Sequence, residues 1–294
     1  MMKRNDPPQK EPRHEAGPGP LRLVAQRFME FCESYRPYFT AARHNVGDKA
    51  RCYLAGLLMK APRKNMERME EYVEEYDYQA EQQFLSDSPW SHGELNARVG
   101  RDVDQELGGP ESAVVIDETP FTKKGEKSVG VARQWNGRLG KVDNCQVGVF
   151  AGLSDGVHCG LVDVRLFLPE CWTRDPTRCA KAKVPPSERK YRSKAELALE
   201  MVDRAVANGL RFGWVVLDSG YGHIPWLPRA IEDRGLRFVA DVHSDQTIYL
   251  EDPDPYLPRR KKRRGRKFTR RRSRVEGVEI GKFFESENKR GICW

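Results

Sequence analysis

Residues 113–118 read AVVIDE, and residues 214–219 read WVVLDS. In both stretches a short apolar run ends on an aspartate, and such runs of Val, Ile and Leu predict buried strands. We therefore expect Asp117 and Asp218 to end two strands of an α/β fold, with a corner at Thr119-Pro120 after the first. If the strands are neighbours, both carboxylates project at one edge of the sheet, where open α/β sheets place their ligands.

The two aspartates have a functional and a structural interpretation. Carboxylates that lie close together repel each other, and a divalent cation between them removes the conflict. Hard oxygen ligands favour Mg²⁺ or Mn²⁺ over zinc. The structural alternative is that each aspartate forms a turn or caps a helix, as Asp218-Ser219-Gly220 could do without a ligand. The repetition of the pattern favours a metal site.

The net charge of +8 is concentrated in one segment of the 294-residue chain. Residues 259–274, RRKKRRGRKFTRRRSR, contain twelve basic residues and no acidic residue. Without those twelve charges the rest of the chain carries −4. So dense a basic segment predicts a polyanionic partner, and nucleic acid is the leading candidate.

The remaining composition is typical of a cytoplasmic protein. No apolar run reaches the about 18 residues of a membrane span. The seven cysteines are scattered and contain no C-x-x-C pair, which fits a reducing compartment. Residues 1–20 are rich in Pro, Gly and charge and predict a disordered leader.

Two regions of different periodicity follow the leader. Residues 21–107 predict a small helical domain with three amphipathic helices before residue 80. Their apolar stripes are expected to form a core; the first stripe consists of Leu21, Val24, Phe28, Phe31 and Tyr35.

Residues 108–250 predict a mixed α/β sheet. Hairpin-linked strands come first, with NGRLGK as one connection, and helix, strand, helix and strand follow. Ser193 and Glu196 predict a capping box at the first of these helices. The preceding residues 171–192 show no clear period and predict a loop.

Several stretches together resemble bacterial insertion-sequence transposases with a DDE-type catalytic domain. They are LSDSPW, VVIDETPFTKKG, SVGVARQWNGRLGKVDNCQVGVF, VVLDSGYG and RFVADV. The resemblance covers most of the chain from about residue 20 onward. It implies an α/β fold, with an RNase H-like mixed sheet and flanking helices, preceded by a small all-helical domain, residues 21–107, that binds DNA.

The same resemblance implies a chemistry. Asp117 and Asp218 match the first two acids of the catalytic triad, which binds two Mg²⁺ (or Mn²⁺) ions. The implied activity is metal-dependent cleavage of double-stranded DNA at transposon ends, followed by strand transfer into target DNA. A homodimer, and a place in the bacterial cytoplasm in association with the nucleoid, are also implied, without a membrane partner.

The third acid of that triad is missing from the expected pattern. The family places it in a sequence like Tyr-x2-Arg-x3-Glu-x6-Lys, but Tyr256 and Arg259 are followed by Arg263 at the acid position. The four glutamates after residue 275 lie in segments without a helical period. We therefore expect residues 251–294 to be a basic insertion segment of a truncated transposase.

The candidate DNA-binding residues form two groups. Lys123 and Lys124 follow the first aspartate and could contact phosphate, although a solvated pair is an equal alternative. The basic run is the larger group, and its non-specific phosphate contacts would make binding strongly dependent on salt. Its members are Arg259, Arg260, Lys261, Lys262, Arg263, Arg264, Arg266, Lys267, Arg270, Arg271 and Arg272.

Other residues near the two aspartates are expected to be structural. Glu118 points to the opposite face of a strand from Asp117, which favours a turn or surface acid. His223 is expected to be a cap or surface residue. Trp135 and Trp172 could stack on bases, but packing is the favoured role for each.

Three hypotheses follow for the whole protein. The first is a DDE transposase that lacks its third catalytic acid. The second is a non-catalytic remnant that binds transposon ends without cleaving them. The third is an RNA-associated protein whose basic arm grips structured RNA, while the aspartate pair is purely structural.

Overall fold

The computed structural model describes residues 19–41, 44–60, 64–88, 90–258 and 269–289. The chain divides into two compact units, one extending to Leu95 and the other beginning at Asn96. Most of the predicted leader, and residues 259–268 of the basic run, lie outside the described residues.

The first unit is helical, as the sequence predicts. Asn65 and Asp77 begin two of its helices by accepting hydrogen bonds from the backbone N–H groups of Arg68 and Ala80. Its elements are α1 (Pro20–Tyr35), a 3₁₀ turn (Arg36–Phe39), β1 (Thr40–Ala41), β2 (His44–Asn45), α2 (Gly47–Leu58), α3 (Met66–Glu70), α4 (Tyr78–Asp87) and the start of α5 (His92–Leu107).

The apolar stripe of α1 is not a core, contrary to the prediction. Leu21 is 86% exposed and Val24 is 64% exposed, and Tyr35 is the one buried residue of this fully described helix. Helical spacing identifies a face of a helix, but it does not say whether another element covers that face.

The core of this unit lies around α2 and α3. Cys52, Met69 and Tyr76 form a buried cluster, and the Tyr76 hydroxyl lies 3.5 Å from the Met69 sulfur. The spacing of Met66, Met69, Val73 and Tyr76 predicts one helix, but α3 ends at Glu70 and turns carry the chain to α4.

The second unit is an α/β structure. After α5 its elements are β3 (Ala113–Thr122), β4 (Ala132–Asn136), β5 (Lys141–Ser154), β6 (Cys159–Leu166), α6 (Glu170–Thr173), α7 (Pro176–Lys181), a 3₁₀ turn (Pro186–Glu188), α8 (Lys194–Ala207), β7 (Trp214–Leu217), α9 (Ser219–Gly222), α10 (Trp226–Glu232), β8 (Arg237–Ala240), β9 (Thr247–Ile248), β10 (Val278–Glu279) and α11 (Ile280–Lys289).

Six strands form one mixed sheet in the order β4-β5-β3-β7-β8, with β6 also paired to β5. β5 is antiparallel to β3, β4 and β6, whereas β7 is parallel to both of its neighbours, β3 and β8. Four strands joined by antiparallel pairing, β3 to β6, are followed by two that run parallel to β3, and together they make the mixed sheet that the RNase H-like resemblance implies, so the predicted fold class is confirmed.

Helix α8 packs on this sheet and builds the main core. The predicted capping box is present: the Ser193 hydroxyl accepts the Glu196 N–H, and the Glu196 carboxylate accepts the Ser193 N–H. Met201 on α8 is fully buried, in one cluster with Val114 and Ile116 of β3. Burying side chains of this size stabilises the fold by about 1.5–3 kcal/mol each.

β3 is longer than the sequence predicts. It runs to Thr122 and pairs with β5 over its whole length, so Thr119-Pro120 is not a corner. Proline is tolerated there because β7 pairs with β3 only through Ile116. Beyond that residue one side of β3 has no paired strand among the described residues, and an N–H donor is not needed on it.

Two further predictions about local structure are wrong. The predicted loop at residues 171–192 contains most of α6, all of α7 and a 3₁₀ turn. The region after the basic run does contain a helix, because α11 begins directly after β10. None of the described helices has the length and apolar content to cross a membrane.

Candidate active site at the edge of the sheet

The parallel pairing of β3 and β7 places Asp117 and Asp218 side by side. Ile116 is the register partner of Leu217, so the next residue on each strand is an aspartate. Neighbouring strands lie about 4.8 Å apart. Both aspartates are exposed. The two strands are therefore neighbours and both acids lie at one sheet edge, which meets the condition on which the predicted metal site depends.

Each aspartate uses one carboxylate oxygen for a backbone hydrogen bond. Oδ1 of Asp117 accepts the Glu118 N–H at 2.6 Å. Oδ1 of Asp218 accepts the N–H groups of Gly220 at 3.0 Å and Tyr221 at 3.3 Å. Asp218 therefore caps α9, as the structural alternative predicts. In both residues Oδ2 has no hydrogen-bond or ion-pair partner among the described residues, which leaves it open to a ligand.

Glu118 lies on the other face of β3, as predicted, but it is not a simple surface acid. Its Oε1 is 2.5 Å from Nζ of Lys194, the first residue of α8. The Tyr221 hydroxyl donates to its Oε2 at 3.4 Å. Glu118 thus joins β3 to α8 and α9 and has its charge neutralised by Lys194.

Tyr221 lies close to the carboxylates at this edge of the sheet, and their negative charge affects its pKa. It is buried, and burial raises the pKa of its hydroxyl well above the usual value. The carboxylates of Glu118, Asp218 and Asp117 raise the pKa further, in that order. Tyr221 therefore keeps its proton and serves as a hydrogen-bond donor to Glu118.

The described residues contain no group of three His, Cys, Asp or Glu side chains that could hold a metal ion. One further acid follows a parallel strand: Asp241 comes directly after β8, and its N–H bonds to the Leu217 carbonyl at 3.0 Å. Sequence reasoning missed it, although RFVAD repeats the pattern of VVID and VVLD. Glu285, one of the glutamates that follow the basic run, lies on α11 and is exposed.

The other residues singled out near the site have mixed outcomes. His223 is exposed, and its Nδ1 lies 2.8 Å from the Ser219 carbonyl, so its predicted structural role is confirmed. Trp172 is fully buried and donates its indole N–H to the Val131 carbonyl at 2.8 Å, as expected of packing. Trp135 is 57% exposed, so the packing role that the sequence favours for it is wrong.

The basic residues lie in two places. Lys123 is half-buried at the end of β3, and Lys124 is exposed. Arg270, Arg271 and Arg272 are exposed on one side of a narrow antiparallel arm, in which β9 pairs with β10. The remaining candidates of the run, at positions 259–264, 266 and 267, lie outside the described residues and connect the two sides of this arm in sequence.

Comparison with known proteins settles the family. A family model described as DDE superfamily endonuclease matches residues 35–281. The chain belongs to that family.

A curated relative adds to this assignment. The chain is 31% identical over 240 residues to a protein described as "Probable transposase for insertion sequence element IS701" from Microchaete diplosiphon. The similarity covers 79% of this chain and 58% of that transposase, so the chain spans little more than half of its relative's length.

DDE endonucleases generally use divalent metal ions. Asp117 and Asp218 fit such an ion in ligand type, because each presents one free carboxylate oxygen at the same sheet edge. Hard oxygen donors suit Mg²⁺ and Mn²⁺. Among the described residues the set is one acid short of a three-carboxylate site.

Proposed function

We propose that this chain is a DDE-type DNA transposase, in which Asp117 and Asp218 hold the divalent cations of the catalytic site. The observation that carries the proposal is the register of β3 and β7, which brings the two carboxylates to adjacent positions. Membership of the DDE endonuclease superfamily supports DNA as the substrate.

The residues around the pair would orient its free oxygens. Backbone N–H groups fix Oδ1 of Asp117 and Oδ1 of Asp218, so that Oδ2 of each carboxylate is left for the cation. Lys194 holds Glu118 on the opposite face of β3, away from the cation side. Two Mg²⁺ or Mn²⁺ ions, when bound, supply Lewis acidity for an in-line displacement at a DNA phosphorus.

DNA would be bound by charge outside the catalytic pair. Arg270, Arg271 and Arg272 on the arm, with the rest of the basic run, would neutralise phosphates in a salt-dependent manner. Lys123 and Lys124 would contact phosphate nearer to Asp117. Cleavage at transposon ends and strand transfer into chromosomal DNA would place the protein at the bacterial nucleoid, with a homodimer on paired ends.

A second candidate function is binding of transposon ends without cleavage. It is favoured by one observation, namely that the described residues offer no group of three metal-binding side chains. Two carboxylates bind a divalent cation more weakly than three, since each ligand adds charge to the site. The chain would then occupy end DNA and compete for it with transposases that cleave it.

The experiment uses the full chain and DNA that carries the flanks of its own gene. The chain is expected to nick this DNA in Mg²⁺ or Mn²⁺, and Asp117→Asn and Asp218→Asn are each expected to abolish nicking. Asp233→Asn is the matched control, because Asp233 is an exposed aspartate at the end of α10. Binding of Mn²⁺ alone, followed by electron paramagnetic resonance, gives a readout that does not depend on turnover.

The outcomes separate the two candidates. Equal nicking or equal Mn²⁺ binding by the wild type and the Asp117 and Asp218 variants would overturn the assigned metal site. A gel shift of end DNA without nicking at any Mg²⁺ concentration would establish the second candidate instead.

A further inference from the structure

A cavity of about 430 Å³ opens at the far end of β3. Phe121, Thr122 and Lys123 line it from β3 and the residue that follows, and Arg138 and Leu139 line it from the turn between β4 and β5. Its volume lies within the range of about 300–1,000 Å³ that small-ligand sites occupy. The cavity is therefore large enough for one nucleotide.

Hydrogen bonds anchor the walls of this cavity. Asn136 is fully buried and donates from Nδ2 to the Thr122 hydroxyl at 3.0 Å. Asn144 donates to the carbonyl oxygens of Lys123 at 2.8 Å and Gly125 at 3.0 Å. The Asn136 side chain thus ties β4 to the end of β3, and the Asn144 side chain ties β5 to the residues that follow β3.

The lining combines two cations with an aromatic ring. On the same hairpin Lys141 pairs with Asp143 at 3.5 Å, whereas neither Lys123 nor Arg138 takes part in an ion pair among the described residues. Phe121 is 45% exposed. Cations without an ion pair beside an exposed aromatic ring suit the binding of a nucleotide, because the cations attract its phosphate and its base can stack on the ring.

The cavity and the aspartates share one face of the sheet. Side chains alternate along a strand, so Asp117, Thr119 and Phe121 point to the same side. Phe150 is the cross-strand partner of Asp117, and its ring centroid lies 6.3 Å from that of Phe121. Phe121 lies four residue steps along the strand from Asp117, which is about 13 Å.

We propose that this cavity holds one nucleotide of the DNA strand that is bound at Asp117. Lys123 and Arg138 contact its phosphate, and Phe121 stacks on its base. The inference rests on the proposed function, because Asp117 must lie at the reacting phosphate. At 3.4 Å per nucleotide along a duplex strand, about 13 Å places the held nucleotide about four positions from that phosphate.

Binding of DNA by the full chain tests the inference without turnover. Fluorescence anisotropy is measured with a short duplex that ends in a single-stranded extension, over a salt series in EDTA. Phe121→Leu keeps an apolar side chain and is expected to weaken binding about tenfold. Lys123→Ala and Arg138→Ala are each expected to lower the slope of log affinity against log salt by about one.

Lys141→Ala is the matched control, since Lys141 is a cation of the same hairpin that does not line the cavity. Its loss is expected to have a smaller effect on both quantities. A thermal melt by circular dichroism checks that each variant is folded. A single abasic nucleotide moved along the strand should weaken wild-type binding most at about four positions from the cleavage point, and this maximum should disappear in Phe121→Leu.

Three results would overturn the inference. They are unchanged binding in the cavity variants, an equal loss in Lys141→Ala, and affinity for a free deoxynucleotide that matches the affinity for the strand. Failure of the proposed function is a separate result. If Asp117→Asn still nicks DNA but the cavity variants lose affinity, the nucleotide site remains and the catalytic assignment falls.

Discussion

Glu81 of α4 and Asp117 of β3 are both carboxylates without an ion pair among the described residues, but their surroundings are opposite. Glu81 is fully buried in the helical unit, and neither of its carboxylate oxygens has a hydrogen-bond partner among the described residues. Burial raises the pKa of Glu81, and the opposing effect of Lys49 is smaller, so that the pKa is about 7. Asp117 lies at the open edge of the sheet, where water solvates it and Asp218 adds a second charge.

The comparison shows what an unpaired acid is suited for. A buried acid escapes the desolvation of its charge by taking up a proton, so its contribution to stability depends on pH. An exposed acid remains available to a cation. Two other acids are paired: the Asp104 side chain, largely buried, binds Arg211, and the half-buried Glu118 binds Lys194. Replacing each acid by its amide is one chemical change with four expected outcomes.

The largest effect is expected at Asp117. Asp117→Asn removes a cation ligand, and metal-ion stabilisation of a transition state is worth several kcal/mol, or about a thousandfold in rate. Nicking of end DNA should fall by that factor, while the melting temperature should stay the same or rise, because repulsion with Asp218 is relieved. A lower melting temperature with unchanged nicking would remove Asp117 from the site and make it a structural residue.

The second-largest effect is expected at Glu81, where the amide should stabilise the fold. Because the pKa of Glu81 is raised in the folded state, this carboxyl contributes most to the free energy of unfolding at low pH, where it is protonated. Stability is lost as pH rises from about 4.5, the usual value, to about 7, and the shift corresponds to roughly 3 kcal/mol above pH 7. Glu81→Gln should recover much of this above pH 7 and little below pH 4.5.

Hydrogen exchange of residues 78–88, followed by mass spectrometry across this pH range, measures that gain within the helical unit. Glu75→Gln is the control, because the Glu75 side chain is 68% exposed. A stability difference between Glu81→Gln and wild type that does not change with pH would show that Glu81 titrates as an ordinary surface acid.

A moderate loss of stability is expected at Asp104. Its two carboxylate oxygens accept from the Arg211 N–H at 2.6 Å and from Nε at 2.9 Å, so Asp104→Asn weakens two bonds that join α5 to the segment before β7. The expected loss is about 1–3 kcal/mol in urea unfolding. Asp203→Asn breaks an exposed pair with Arg234 and should cost under about 1 kcal/mol. Equal losses would mean that burial of Asp104 adds nothing.

The smallest effect is expected at Glu118. Its pair with Lys194 is partly exposed, so a double-mutant cycle of Glu118→Gln and Lys194→Met should give a coupling of about 0.5–1 kcal/mol. Nicking should fall by less than about tenfold, because Glu118 lies on the opposite face from Asp117. A loss as large as that of Asp117→Asn would bring Glu118 into the catalytic set.

The sequence identifies the strands that carry Asp117 and Asp218 better than it identifies the structure around them, while the metal-binding role of the two aspartates stays a prediction. VVID and VVLD identify two buried strands, and the helix between them allows a parallel pairing, so the adjacency of Asp117 and Asp218 follows from local pattern and connection rules. The capping box at Ser193 is equally local. The fold class could be predicted for the same reason, since each element carries its own periodicity.

The features that were missed depend on distant neighbours. Pro120 reads as a corner, but it lies in a strand because β7 leaves that side of β3 free. Leu21 and Val24 read as core, but no other described element covers them. The partner of Glu118 is Lys194, which is 76 positions away. No pattern within a short window contains these facts.

The connectivity of the sheet has a consequence for how the chain folds. β5 is joined to β4 and to β6 by short hairpins, whereas Asp117 and Asp218 are brought together by a pairing that spans 101 positions. Closing a longer loop has a larger entropic cost, and non-local parallel pairing forms slowly. We therefore expect the hairpins to gain protection first in pulsed hydrogen exchange and β7 to follow. The paired carboxylates are then a late property of the folding chain, acquired when β7 docks beside β3.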